Sequence, residues 1–112
     1  WQVNFIAVAA HRNPKTVNVD GQTRLAPAEE QVMYNKVRTI LRIAVRNRQQ
    51  TLVLGALGCG AFHNPPKHVA QIFKVVLTEP EFNGAFDAVY FSIIDDHNSN
   101  GNLALFREVF GE

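Results

Sequence analysis

The sequence predicts an α/β domain with a mostly parallel sheet. Three apolar runs alternate with three amphipathic helical patterns, and the middle run stops at glycines before a helix begins. The apolar runs lie at about residues 2 to 10, 51 to 56 and 87 to 94. They are continuous rather than alternating, the pattern of strands covered on both faces. The first helix starts at Pro27, suits its positive end with Glu29 and Glu30, and carries Met33, Val37, Ile40, Leu41 and Ala44 on one stripe. Arg38, Arg42 and Arg46 fall on the opposite side as a solvated row. The second helix has Asn64 as its cap, prolines 65 and 66 in its first turn, and Val69, Ile72, Phe73, Val76 and Leu77 as its buried face. The third is short, with Leu103, Phe106 and Phe110 inward and Gly111 as its stop. The stretch from His11 to Ala26 is long for a connection and reads as a site element or an insertion.

Composition narrows the function classes. A chain of 112 residues, 46% hydrophobic, has material for one core and a single domain over residues 1–112. A formal charge of +1 gives no case for a dedicated nucleic-acid or membrane surface. The single cysteine, Cys59, excludes an internal disulfide framework, and no apolar segment is long enough to span a bilayer as a helix. These features set the expectation of an intracellular protein, cytoplasmic or nuclear. The chain opens on Trp1 and runs at once into an apolar segment, which suggests a cut end and a partial domain.

The most informative segment is Thr51-Leu-Val-Leu-Gly-Ala-Leu-Gly-Cys-Gly-Ala-Phe-His-Asn-Pro-Pro66, a strand, a glycine turn and a helix start. Gly55, Gly58 and Gly60 let backbone amides approach an anion, and the following helix adds partial positive charge, so a phosphate or diphosphate is the ligand this turn suggests. A tight turn that simply requires glycine is the plainer alternative. The spacing Gly-x-x-Gly-x-Gly matches neither the dinucleotide fingerprint nor the nucleoside-triphosphate loop.

Other candidates are weaker. Cys59 near a helix start could serve as a nucleophile with His63 or His97 as base, against the commoner role of a buried turn cysteine. His11, His63, His68 and His97 show no metal-ligand spacing, and no metal or cofactor is expected; His68 is placed on the surface of the second helix. Asp95 and Asp96 could accept from a ribose hydroxyl or act as turn formers. Phe62 could present its ring to a base or sugar, or plug the core. In an open sheet the loop near His11, the glycine turn and residues 95 to 101 share the carboxyl edge and should converge.

The Gly58-Cys-Gly-Ala-Phe-His-Asn-Pro-Pro66 turn, the Val69-Ala-x-Ile-Phe-Lys74 helix, Val89-Tyr-Phe-Ser-Ile-Ile-Asp-Asp96 and Asn102-Leu-x-x-Phe-Arg-x-Val-Phe110 resemble the C-terminal half of microbial-type poly(ADP-ribose) glycohydrolases, of the macrodomain superfamily. The resemblance implies a three-layer α/β/α macrodomain fold that binds ADP-ribose or poly(ADP-ribose). It places Gly55, Gly58, Cys59, Gly60, Ala61, Phe62, His63 and Asn64 at the diphosphate and adjoining ribose, with backbone amides of residues 58 to 61 as donors. Asp95, Asp96, His97 and Asn98 fall toward the adenosine. The family's catalytic acid comes from a glycine-rich segment ending in Gln-Glu-Glu, which these 112 residues lack; Glu29-Glu-Gln31 has the wrong order and context, and no catalytic residue is assigned. Missing family strands imply exposed sheet surface, and hence a homo-oligomer or a complementing N-terminal fragment. Two other functions stay open: a noncatalytic interaction or structural module, and a Cys59-dependent hydrolase.

Overall fold

The structure, a computed structural model, describes residues 8–59, 62–93 and 101–111. The elements run β1 (Thr16–Val19), β2 (Gln22–Leu25), α1 (Pro27–Arg46), β3 (Thr51–Leu54), α2 (Pro66–Leu77), β4 (Ala88–Phe91) and α3 (Asn102–Phe110). The α/β class and the three helices are those the sequence predicts. The sheet differs: β3 pairs in parallel with β4, Leu52 opposite Val89 and Leu54 opposite Phe91, and β1 pairs antiparallel with β2 as a separate hairpin. Most of the first predicted strand lies outside the described residues, and residues 8 to 10 are not in a strand.

The hairpin replaces the expected long connection. Asp20 and Gly21 both have positive φ, 49° and 81°, the left-handed backbone of a two-residue hairpin turn, and Gly21 N–H donates to Asn18 Oδ1 at 3.1 Å.

α1 buries the predicted stripe of Met33, Val37, Ile40, Leu41 and Ala44. Its arginine row is not simply solvated. Arg38 donates through Nε and Nη2 to the two oxygens of Glu79 at 3.0 and 2.8 Å, and Arg42 grips Glu81 likewise at 2.8 and 2.9 Å. Two-pronged pairing of this kind fixes the segment after α2 against α1, and it holds both carboxyls below their ordinary range.

α2 packs against α1 on one side and α3 on the other. Val69, Ala70, Ile72, Phe73 and Val76 are buried, and Phe91 of β4 closes the core with ring centroids 5.3 Å from Phe73, 5.5 Å from Phe106 and 4.8 Å from Phe110. The strands are not covered on both faces, as their continuous apolarity had suggested. Val53 and Tyr90 are cross-strand neighbours on the other side of the β3–β4 pair and are 69% and 60% exposed. Among the described residues no helix is long and apolar enough to cross a membrane.

Candidate functional site

β3 ends at Leu54 and the chain turns through Gly55 to Asn64 before α2 begins. The turn is tightened by its own backbone: Leu57 N–H donates to Gly55 O at 3.0 Å, Cys59 N–H to Ala56 O at 3.0 Å and Asn64 N–H to Gly58 O at 2.9 Å. The Cys59 amide is therefore engaged inside the turn rather than aimed outward at an anion. Gly58 sits at φ +71°, and a Cβ there would lie 2.5 Å from both Ala10 Cβ and Asn64 Nδ2. Glycine is required at this position on two counts, backbone conformation and space. Gly55 is different, because a Cβ there would meet only Ser92 O at 3.9 Å.

Asn64 does not cap α2. Pro65 holds the cap position with Pro66 as the first helical residue, and the Asn64 side chain, 2% exposed, turns back into the loop. Its Nδ2 donates to His11 O and to Gly58 O, each at 2.9 Å. Asn13 N–H adds a bond to Phe62 O at 2.8 Å, and Asn102 Nδ2 of α3 donates to Cys59 O at 3.1 Å. The segment after His11 and the glycine turn thus converge as predicted, and the first residue of α3 joins them.

A cleft of about 1040 Å³ opens between this junction and the β1–β2 hairpin. Cys59, His63 and Asn64 line one side, and Asp20, Gln22 and Arg24 line the other. Lys67, which pairs with Glu108 at 3.1 Å, and Asn102 complete it toward the helices. Arg24 and Lys67 bring positive charge to the walls, each beside a carboxylate, Glu30 at 3.4 Å and Glu108 at 3.1 Å, and Asp20 brings negative charge. His63 occupies the left-handed region at φ 59°, a conformation that costs a non-glycine residue about 1 kcal/mol or more. Phe62 is 37% exposed, so its ring is presented to the surface rather than plugged into the core.

Of the residues expected at the diphosphate, Cys59, His63 and Asn64 line the cleft, Gly58 packs beneath it, and Gly55 lies at the end of β3. Gly60 and Ala61, and the adenosine-side set Asp95, Asp96, His97 and Asn98, lie outside the described residues. Asn13, Arg24, Lys67 and Asn102 are cleft residues that sequence reasoning missed; only Arg24 had a usable signal, since Asp20-Gly21 marks the hairpin that carries it.

The surroundings of Cys59 argue against a nucleophile. Its side chain is buried, its Sγ faces Leu57 O at 3.5 Å, and burial pushes the thiol up to about 12, so the thiolate is scarce at neutral pH. The neighbouring acids are occupied as well: Glu29 meets His11 Nδ1 at 2.6 Å and Glu30 meets His68 Nε2 at 2.7 Å. His68 itself is 1% exposed, not on the helix surface, because its ring nitrogens find partners on α1 and β2.

No family model and no curated protein matches the chain. Solved structures do. Poly(ADP-ribose) glycohydrolase from Deinococcus radiodurans, in a crystal structure with ADP-ribose, shares 38% identity and a TM-score of 0.69 over 76% of this chain and 34% of that one. The apo form of the same enzyme gives 38% identity and a TM-score of 0.68 over the same shares. The chain spans about a third of the length of these relatives. Identity at this level together with a shared fold goes beyond architecture alone, and the chain is thereby identified as similar to the poly(ADP-ribose) glycohydrolases over three quarters of its length.

Proposed function

We propose that the chain binds ADP-ribose, as the terminal unit of a polymer or free, with the diphosphate lodged at the Gly55–Asn64 turn. The observation that carries this reading is the cleft of about 1040 Å³ directly over that turn, walled by Arg24, Lys67 and His63. Its volume is ample for a dinucleotide-sized ligand. Arg24 and Lys67 suit two phosphates, and solved relatives hold ADP-ribose. Since Cys59 N–H is used internally, the grip on the anion falls to the cationic side chains and to turn residues after Cys59.

Glycosidic hydrolysis, in this reading, requires a glutamate to protonate the leaving oxygen. The family places it in a glycine-rich Gln-Glu-Glu segment, which these 112 residues do not contain. The chain supplies binding and a separate segment supplies the acid; release of ADP-ribose from polymer by this chain alone would contradict that division. Exposed Val53 and Tyr90 offer the surface on which a complementing segment or a second copy would pack.

Titration calorimetry with ADP-ribose, run beside light scattering at the same protein concentrations, tests both parts. Saturable heat is expected, together with a mass above that of one chain or a rise in mass when the N-terminal part of a poly(ADP-ribose) glycohydrolase is added. Absence of heat at high micromolar protein would overturn the binding site. A monomer that the added N-terminal part leaves unchanged would overturn the packing surface.

A further inference from the structure

The β1–β2 hairpin forms one wall of the cleft, yet every residue of β1 is exposed, and β2 is the strand that touches α1 and α2. Leu25 of β2 is buried in the core, and beside it a polar cluster ties the hairpin down. Leu25 N–H donates to His68 Nδ1 at 2.8 Å, so that nitrogen carries no proton and the neutral ring bears its hydrogen on Nε2. Nε2–H then donates to Glu30 Oε2 at 2.7 Å. Arg24 Nη2 lies 2.9 Å from the same ring nitrogen and 3.4 Å from Glu30 Oε2, while Arg24 Nη1 and Gln22 Nε2 both donate to Gln71 Oε1, at 3.0 and 3.1 Å. Arg24 Nη2 and the ring's Nε2–H are both donors and make no bond to each other, but the Leu25 bond exists only for the neutral imidazole. A proton on Nδ1 would oppose the Leu25 amide, and the resulting cation would sit against the Arg24 guanidinium.

We propose that His68 is a positioning residue that holds the β1–β2 hairpin in place as a cleft wall while its ring is neutral and releases it when the ring is protonated. The consequence for ADP-ribose rests on the binding function proposed above; the latch itself does not. The charged and titratable groups facing the ring are Arg24 from β2 and Glu30 from α1, with Tyr34 of α1 beside both. Burial and then Arg24 hold His68 below its ordinary range, with Glu30 acting the other way. The sign follows: as pH falls through the ordinary imidazole range, the released form takes up a proton that the latched form refuses, and release gains up to about tenfold per pH unit.

Residue-resolved hydrogen exchange on the whole chain, corrected for intrinsic rates, reads the latch without ligand. Between about pH 7.5 and about pH 5.5 the Leu25 amide and the hairpin amides should lose about tenfold in protection while α1 and α2 keep theirs. His68→Asn places a carbonyl near the Nδ1 position and cannot titrate, so its hairpin protection should be independent of pH. If that variant does not fold, Glu30→Gln serves: without the carboxylate that favours the imidazolium, the latched form refuses the proton more strongly, so the acid-induced loss of hairpin protection should start in the same pH range and run deeper than in the parent chain. Unchanged hairpin protection in the parent chain, simultaneous loss from hairpin and helices, or a shallower acid-induced loss in Glu30→Gln than in the parent would each overturn the proposal. Hairpin release with unaltered ADP-ribose affinity would overturn the positioning role. Absence of ADP-ribose binding at any pH would instead overturn the binding function, leaving the exchange profile to decide the latch.

Discussion

Replacing Gly58 with alanine should destabilise the chain by about 2 to 5 kcal/mol and abolish ADP-ribose binding, because two separate penalties coincide at that residue. The first is conformational. At φ +71° an L residue with a Cβ is held in the left-handed region, at about 1 to 3 kcal/mol. The second is steric. The new carbon would sit 2.5 Å from Ala10 Cβ and 2.5 Å from Asn64 Nδ2, and neither neighbour is the loose end of a flexible side chain. Ala10 is buried and Asn64 is held by two hydrogen bonds, so relief requires the turn to move away from the segment after His11. Gly55→Ala is the matched control, since its Cβ would make only an ordinary contact with Ser92 O at 3.9 Å. Urea denaturation of the two variants compares them directly, and a loss below about 1 kcal/mol in Gly58→Ala would show that the turn is not built as described.

The contrast between these two glycines shows where the sequence was readable. Apolar periodicity is enforced by burial, so the α1 stripe from Met33 to Ala44 and the inner face of α2 follow directly from residue spacing. Polar residues carry no comparable constraint. Asn64 before two prolines has the composition of a helix cap, yet its amide donates to Gly58 O within the turn and to His11 O, a contact between residues 53 apart. His68 at a polar-looking helix position is buried because Leu25 and Glu30 meet its two nitrogens, and both partners are supplied by tertiary packing. The hairpin is another matter: Asp20-Gly21 is a local turn signal obscured by the short strands around it, since β1 carries only Val17 and Val19 on one face and both stay exposed. The cleft inherits this division. Its floor was legible in the glycine turn, whereas the wall that carries Arg24 depends on where the hairpin docks.

Asn64→Asp should be the most damaging near-isosteric change in the site, at about 3 to 5 kcal/mol near neutral pH. The substitution keeps shape and volume but exchanges an amide that donates to two carbonyls for a carboxylate that only accepts. His11 O and Gly58 O, each 2.9 Å from the present Nδ2, would then face negative charge at a position 2% exposed. Burial and the two carbonyl dipoles raise the new carboxyl's folded-state pKa, so the sign of the pH dependence is fixed. Below the unfolded carboxyl range both states are protonated and the added charge penalty vanishes; as pH rises, the unfolded chain ionises first and the folded variant loses stability until its own carboxyl titrates. Chemical denaturation of parent and variant at several pH values should therefore show a gap that widens from acid toward neutral pH. A gap independent of pH would mean that the loop relaxes to solvate the carboxylate, and that Asn64 is not the tie between the segment after His11 and the glycine turn.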